Sequence, residues 1–109
     1  FYLSPVVSID DKELQNPKAL ELKQNYPNPF NAGTMITFHL FDSSHATLAV
    51  FDIRGKYIAT LVDADYARGS HQIHWKGTGA NGTELPSGIY LVRLVTPRAT
   101  EVQRLSILR

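Results

Sequence analysis

The chain has 109 residues, 43% hydrophobic and 19% charged, a balance that suits one globular domain rather than a disordered segment. Eleven Lys and Arg against ten Asp and Glu leave a net charge of +1, which argues against a general binder of nucleic acid or of acidic membranes. No cysteine is present, so disulfides, thiolate catalysis and cysteine-based zinc sites are excluded together.

Phe1–Ala19 mixes apolar and acidic residues with Pro5 and Pro17 and shows no clean period. It reads as a linker or the tail of an upstream domain, with residues 20–109 as the folded module. Phe1-Tyr2-Leu3-Ser4-Pro5 lacks the charged and apolar regions of a signal peptide, and the first residue is not Met, as expected for a fragment of a longer precursor. No apolar run approaches the ~18–20 residues of a membrane-spanning helix.

From Leu20 the hydrophobic period is two. Leu20 and Leu22 alternate with Glu21 and Lys23 before Gln24-Asn25-Tyr26-Pro27-Asn28-Pro29-Phe30-Asn31. Two prolines exclude a helix interior or a central strand there, and the backbone is expected to be extended, with Tyr26 and Phe30 plugging it into a core. Thr34–Leu40, Thr47–Phe51, Tyr57–Val62, Ser70–Lys76, Ile89–Val95 and Val102–Leu108 read as further strands. Turn signals fall between them at Asp42–His45, at Asp52-Ile53-Arg54-Gly55 and at Pro97-Arg98. The long Gly77–Gly88 loop carries Asn81-Gly82. About seven short strands at this spacing predict an all-β fold, an immunoglobulin-like antiparallel β-sandwich. Trp75 is the expected core centre, packed by Val50, Ile73, Tyr90 and Val92.

Catalytic constellations are missing. No Gly-x-Ser-x-Gly elbow occurs, and no phosphate-cradling glycine loop precedes a helix. His39, His45, His71 and His74 lack zinc-ligand spacing. Asp63 with Asp65, or Asp10-Asp11-Glu13, could offer oxygens to Ca²⁺, but turn and solvation roles explain them as well. Asn81-Gly82-Thr83 matches a glycosylation acceptor, but a tight Asn-Gly turn is the preferred reading. Tyr2, Tyr57 and Tyr66 are candidates for a sugar-stacking platform. No enzyme, cofactor, metal site or nucleic-acid partner is expected. From Arg93 to Arg109 four arginines face one acid, Glu101, which makes the last stretch basic.

An ordered set of motifs carries a resemblance. Leu22-Lys23-Gln24-Asn25-Tyr26-Pro27-Asn28-Pro29-Phe30-Asn31 comes first, followed by Ile36-Thr37-Phe38. Val50-Phe51-Asp52-Ile53-Arg54-Gly55-Lys56 and Trp75-Lys76-Gly77 come next. Leu85-Pro86-Ser87-Gly88-Ile89-Tyr90 and the closing Arg104-Leu105-Ser106-Ile107-Leu108-Arg109 end the set. Over residues 19–109 the chain resembles the C-terminal sorting domains of the type IX (Por) secretion system, which are similar to the immunoglobulin-like domain of flagellar hook-capping proteins. The resemblance implies a non-catalytic domain at the end of a larger exported protein, carrying an upstream passenger through the outer membrane to the medium or cell surface. Its implied partners are the type IX translocon and a sortase-like protease, and its implied recognition residues are Pro86, Gly88, Tyr90, Arg104 and Arg109. The chain has Ala32-Gly33-Thr34 where such domains usually carry Pro-Thr-Thr, and arginines where their tails often use lysines. The alternatives are an accessory sandwich of a secreted hydrolase, binding polysaccharide or packing on the catalytic domain, and a subunit-contact module. If the last strand lies at a sheet edge, its free backbone groups could add a strand from a receptor. Deleting Arg104–Arg109 is then expected to impair export more than folding.

Overall fold

The computed structural model describes residues 18–109; residues 1–17 of the expected linker, with Tyr2 and Asp10-Asp11-Glu13, lie outside the described residues. Seven strands follow in chain order: β1 (Leu20–Leu22), β2 (Thr34–Leu40), β3 (Ser44–Asp52), β4 (Tyr57–Tyr66), β5 (Gly69–Trp75), β6 (Gly88–Val95) and β7 (Thr100–Ile107). They form two antiparallel sheets, ordered β1-β2-β5 and β4-β3-β6-β7. The fold is an immunoglobulin-like β-sandwich in which β4 sits beside β3 and not with β1, β2 and β5.

Alternation produces the core. β2 buries Thr34, Ile36, Phe38 and Leu40 and leaves the residues between them half-exposed. β6 turns Tyr90, Val92 and Leu94 inward, and β7 turns Leu105 and Ile107 inward. With Leu20, Leu22, Phe30, Leu48, Val50 and Trp75 these side chains form one contiguous cluster between the sheets.

The hairpins are closed by side chains the sequence supplies. Asp52 Oδ1 accepts from the backbone N–H of both Arg54 and Lys56 at 2.9 Å. Those bonds, from Lys56 first, hold its carboxyl below the usual carboxylate range. Gly55 at φ +92° ends the three-residue loop, a conformation that side-chain-bearing residues rarely adopt. Asn81-Gly82 closes a second loop of the same kind: Gly79 N–H donates to Thr83 C=O at 2.8 Å, and Gly82 N–H to Gly79 C=O at 3.0 Å. Asn81 Oδ1 accepts from Thr83 N–H, which gives this asparagine its turn role.

The entry segment differs from the extended run expected. The Tyr26–Pro27 and Asn28–Pro29 peptide bonds are both cis, and the chain bends between them. Tyr26 corrects the reading of it as a core plug: its side chain is 81% exposed. Its backbone does the anchoring, exchanging two hydrogen bonds with Met35 at 2.9 and 3.0 Å. Because successive strand residues point to opposite faces, those bonds and the burial of Asn25 next door turn the Tyr26 ring to solvent. Asn25, 2% exposed, takes the inside position. Its Nδ2 donates to Thr34 Oγ1 at 2.9 Å and to Pro27 C=O at 3.2 Å, and Thr34 Oγ1 donates to the same carbonyl at 2.8 Å. This buried knot stands in for the N–H groups the prolines lack.

Phe30 does enter the core, with its ring centroid 5.7 Å from that of Trp75. Phe30→Ala is expected to lower unfolding free energy by about 3–5 kcal/mol, by loss of burial and the cavity left behind. Tyr26→Ala should stay within about 0.5 kcal/mol of wild type, as exposed substitutions do. Urea denaturation of the two variants separates these outcomes, and equal losses would contradict the division.

Candidate functional site

The residues singled out near the carboxyl end converge on one pole of the sandwich, where three separate stretches meet. These are the entry segment, the loop between β5 and β6, and the end of β7. Phe30 lies against Ile107 in a parallel bridge: its N–H donates to Ser106 C=O at 3.1 Å and its C=O accepts from Leu108 N–H at 2.8 Å. Asn28 Oδ1 accepts from Ser106 N–H at 2.9 Å, and Gln24 Nε2 donates to Arg104 C=O at 3.0 Å. The entry segment thus leaves the β1-β2-β5 sheet and caps the outer edge of β7. β7 is an edge strand of its sheet, but the C-terminal half of that edge is taken, which corrects the expectation of free backbone groups there.

Pro86, Gly88 and Tyr90 form a tyrosine corner. The Tyr90 phenol, 7% exposed, donates to Pro86 C=O at 2.8 Å and fixes the chain as it enters β6. Burial pushes the phenol's pKa up, against a smaller opposing effect of the nearby Arg109 charge. The spacing Pro-x-x-Gly-x-Tyr is therefore that of a tyrosine reaching back four residues.

Arg109 is a latch. Nε donates to Leu85 C=O at 2.9 Å, Nη2 to Gly77 C=O at 2.8 Å, and Nη1 to Asn31 C=O. Its backbone N–H donates to Ser87 Oγ at 2.8 Å. The side chain is only 21% exposed, and Glu84 lies 3.9 Å away. Three carbonyls from the entry segment and the long loop share one planar guanidinium, a task that a lysine's point charge performs poorly. Gly77, at φ +75°, is required beneath it: a Cβ there would lie 2.9 Å from Nη2 of Arg109 and 3.1 Å from Cε2 of Phe30. Arg104, by contrast, points outward from β7 and is exposed, so the two arginines do not form one basic patch. Leu105 and Ile107 lie between them in the core, so removal of Arg104–Arg109 would remove core and latch together; that deletion cannot separate export from folding.

A second cluster lies at the far end of the four-stranded sheet, on β3 and β4. His45 on β3 stands between Asp63 and Asp65 on β4, with Nε2 2.6 Å from Asp63 Oδ1 and Nδ1 2.7 Å from Asp65 Oδ1. Both ring nitrogens face carboxylates, an arrangement that favours the doubly protonated ring. These two bonds, Asp63 first, raise the His45 pKa, and the same contact with help from Thr47 lowers that of Asp63. Among the described residues no group of three or more His, Asp or Glu is placed to hold a metal ion. Of the proposed sugar-stacking tyrosines, Tyr66 packs edge-on against Phe38 at 5.4 Å and is not an open platform, whereas Tyr57 is exposed.

Tyr90→Phe is expected to cost about 1–2 kcal/mol by leaving Pro86 C=O unpaired. Arg109→Ala should cost about 2–3 kcal/mol, with Arg109→Lys recovering little of it, in denaturant melts. For His45, an NMR titration is expected to place its midpoint above the ordinary 6.5, and Asp63→Asn should lower it more than Asp65→Asn. The sign of the linkage follows. Stability from His45 is complete below pH 6.5 and lost as pH rises through the higher folded value. That from Asp63 is complete above about 3.8 and lost as pH falls through its lower folded value.

Comparison with known proteins agrees with this architecture. A family model described as the FlgD Ig-like domain matches residues 26–99. No curated protein sequence matches the chain. Among solved structures, the dimeric latent PorU of Porphyromonas gingivalis superposes with a TM-score of 0.69 at 16% identity, over 85% of this chain and 10% of PorU. PorZ of the same organism, described as an essential bacterial surface component of the type IX secretion system, superposes with a TM-score of 0.53 at 21% identity, over 81% of this chain and 11% of PorZ. The chain thus spans about a tenth of the length of each of these structures. With well over half of its residues inside the family model and the seven-strand sandwich in place, this chain belongs to the FlgD Ig-like domain family.

Proposed function

We propose that this chain is a non-catalytic C-terminal sorting domain, which directs a larger passenger through type IX secretion across the outer membrane to the medium or cell surface. The observation that supports the reading most is the fold it shares with a tenth-length stretch of PorZ, itself a surface component of that system. The motif order over residues 22–109 supports it too, since each motif occupies a defined place in one sandwich. The passenger is upstream, and the translocon and a sortase-like protease are the partners.

Within this reading the five recognition candidates divide into two sets. Pro86, Gly88, Tyr90 and Arg109 act by shaping the pole through the corner and the latch. Arg104 is the one whose charge faces solvent from a strand. Fusion of residues 1–109 to the carboxyl end of a reporter, in a host with working type IX secretion, is expected to deliver the reporter outside the cell. Retention of the fusion in the periplasm, while a known sorting domain is exported from the same host, would refute the proposal. Arg104→Ala should weaken export without moving the melting temperature.

A further inference from the structure

The outward faces of the two sheets differ in chemistry. On the three-stranded sheet, the outward positions are Glu21, Lys23, Met35, Thr37, His39 and the Ser70, Gln72 and His74 of β5, a largely polar set. On the four-stranded sheet, cross-strand register aligns Tyr57, Phe51, Leu91 and Arg104 in one row that crosses all four strands. Ala49, Arg93 and Val102 align in the next row. At the usual strand spacing each full row is about 14 Å long. Tyr57 is 53% exposed and Val102 55%. Ile89, 40% exposed, extends the apolar surface toward the pole.

This surface is organised. The Phe51 and Tyr57 rings meet edge-on at 5.9 Å, and the Arg93 guanidinium carbon lies 4.4 Å from the Phe51 ring centroid. The Tyr57 hydroxyl is held by Thr60 Oγ1 at 2.8 Å. Among the described residues neither Arg93 nor Arg104 has a carboxylate within ion-pair distance. The acids of this sheet are engaged elsewhere: Asp63 and Asp65 with His45, Asp52 with its own turn, and Glu101 with Lys18 and the Leu22 N–H. Aromatics and arginines on an apolar ground, with no lysine or acid among them, have the composition of an interface centre. An exposed sheet face of this kind marks an interaction site more often than chance apolar exposure does.

We propose that the outward face of the four-stranded sheet, centred on Phe51, Tyr57, Arg93 and Arg104, docks an acidic polypeptide partner that presents carboxylates beside an apolar strip. The charge selects the occupant: two arginines with no carboxylate partner among the described residues, on an apolar ground, are matched by carboxylates set among apolar side chains, which a neutral glycan does not supply. Arg93, stacked on Phe51, is held flat for a carboxylate, and Arg104 stands at the other side of Leu91. The inference is independent of the secretion reading, because it rests on this face alone.

The test uses the full 109-residue chain, isotope-labelled, titrated with a synthetic twelve-residue peptide alternating Glu with Leu and Phe. A matched peptide with Lys in place of Glu is the control. Saturable NMR shifts confined to Phe51, Tyr57, Leu91, Arg93, Val102 and Arg104, absent with the lysine peptide and weakened by salt, are expected. The double variant Arg93→Glu, Arg104→Glu should weaken binding at least tenfold with an unchanged melting temperature. Should that variant be destabilised, Tyr57→Ser with Val102→Ser gives the same readout from the apolar side. Unsaturable shifts, shifts mapping to another face, equal binding of the lysine peptide, or full affinity in both double variants would overturn the proposal. So would saturable binding of a neutral oligosaccharide at these residues when the acidic peptide does not bind. Failure of export leaves this binding result unaffected, and the reverse holds too.

Discussion

The structure depends on one residue that works in both sheets at once. Phe30 follows a segment that pairs with β2, yet its own backbone bonds to Ser106 and Leu108 beside β7, while its ring packs on Trp75 of β5. A sandwich of two sheets needs its open sides closed, because an edge strand exposes a row of unpaired donors and acceptors. Closure here is achieved by a chain that changes sheets. A strand running straight could not do this, and neither could a helix. Pro27 and Pro29 remove N–H groups that would otherwise need partners during the crossing, and Asn25 and Thr34 supply polar contacts at its start.

The end of the chain completes what the entry begins. Arg109 reaches over the same pole and gathers the carbonyls of Asn31, Gly77 and Leu85, of which that of Gly77 also accepts from the Leu85 N–H at 2.9 Å. A guanidinium has enough donors in one plane to serve several carbonyls at once. Gly77 is the matching concession, since any side chain there would occupy the space of the latch and of the Phe30 ring. Entry segment, long loop and carboxyl end are thus mutually dependent, and the tyrosine corner of Tyr90 fixes the loop from its other side.

Period-two patterning was enough to read the sandwich, because strands half-buried in a two-sheet core must alternate. Thr34–Leu40 shows it most plainly, with every second residue buried. The same reading stopped short at β4, where Asp63, Ala64 and Asp65 extend the strand to Tyr66; aspartate and alanine are poor strand formers, and only the unbroken pairing with Ser44–Thr47 carries the strand through them. Tyr26 and Asn25 show a different limit. Hydrophobicity alone put the tyrosine inside, but the backbone pairing with Met35 fixes which of two neighbours faces the core, and a buried asparagine with several partners is cheaper than its composition suggests. The role of Arg109 was hidden for a related reason. A terminal arginine reads as a solvated charge, and only tertiary contact shows three carbonyls from distant stretches waiting for it.

These assignments change where specificity resides. Gly77, Pro86, Gly88 and Tyr90 lie within the stretch that matches the family, yet their polar groups, with those of Arg109, are spent inside the molecule on the corner and the latch. A partner that met them directly would first have to break the contacts that hold the pole together. Residues that make a sequence easy to classify are therefore those least free to distinguish one partner from another. What remains open to a partner is the outward surface, and there the two sheets offer different chemistry: a polar face on β1-β2-β5, and aromatic rings beside Arg93 and Arg104, which have no carboxylate partner among the described residues, on β4-β3-β6-β7. The pole spends its polar groups on holding the fold, and the docking proposed above falls to the outward face of the four-stranded sheet.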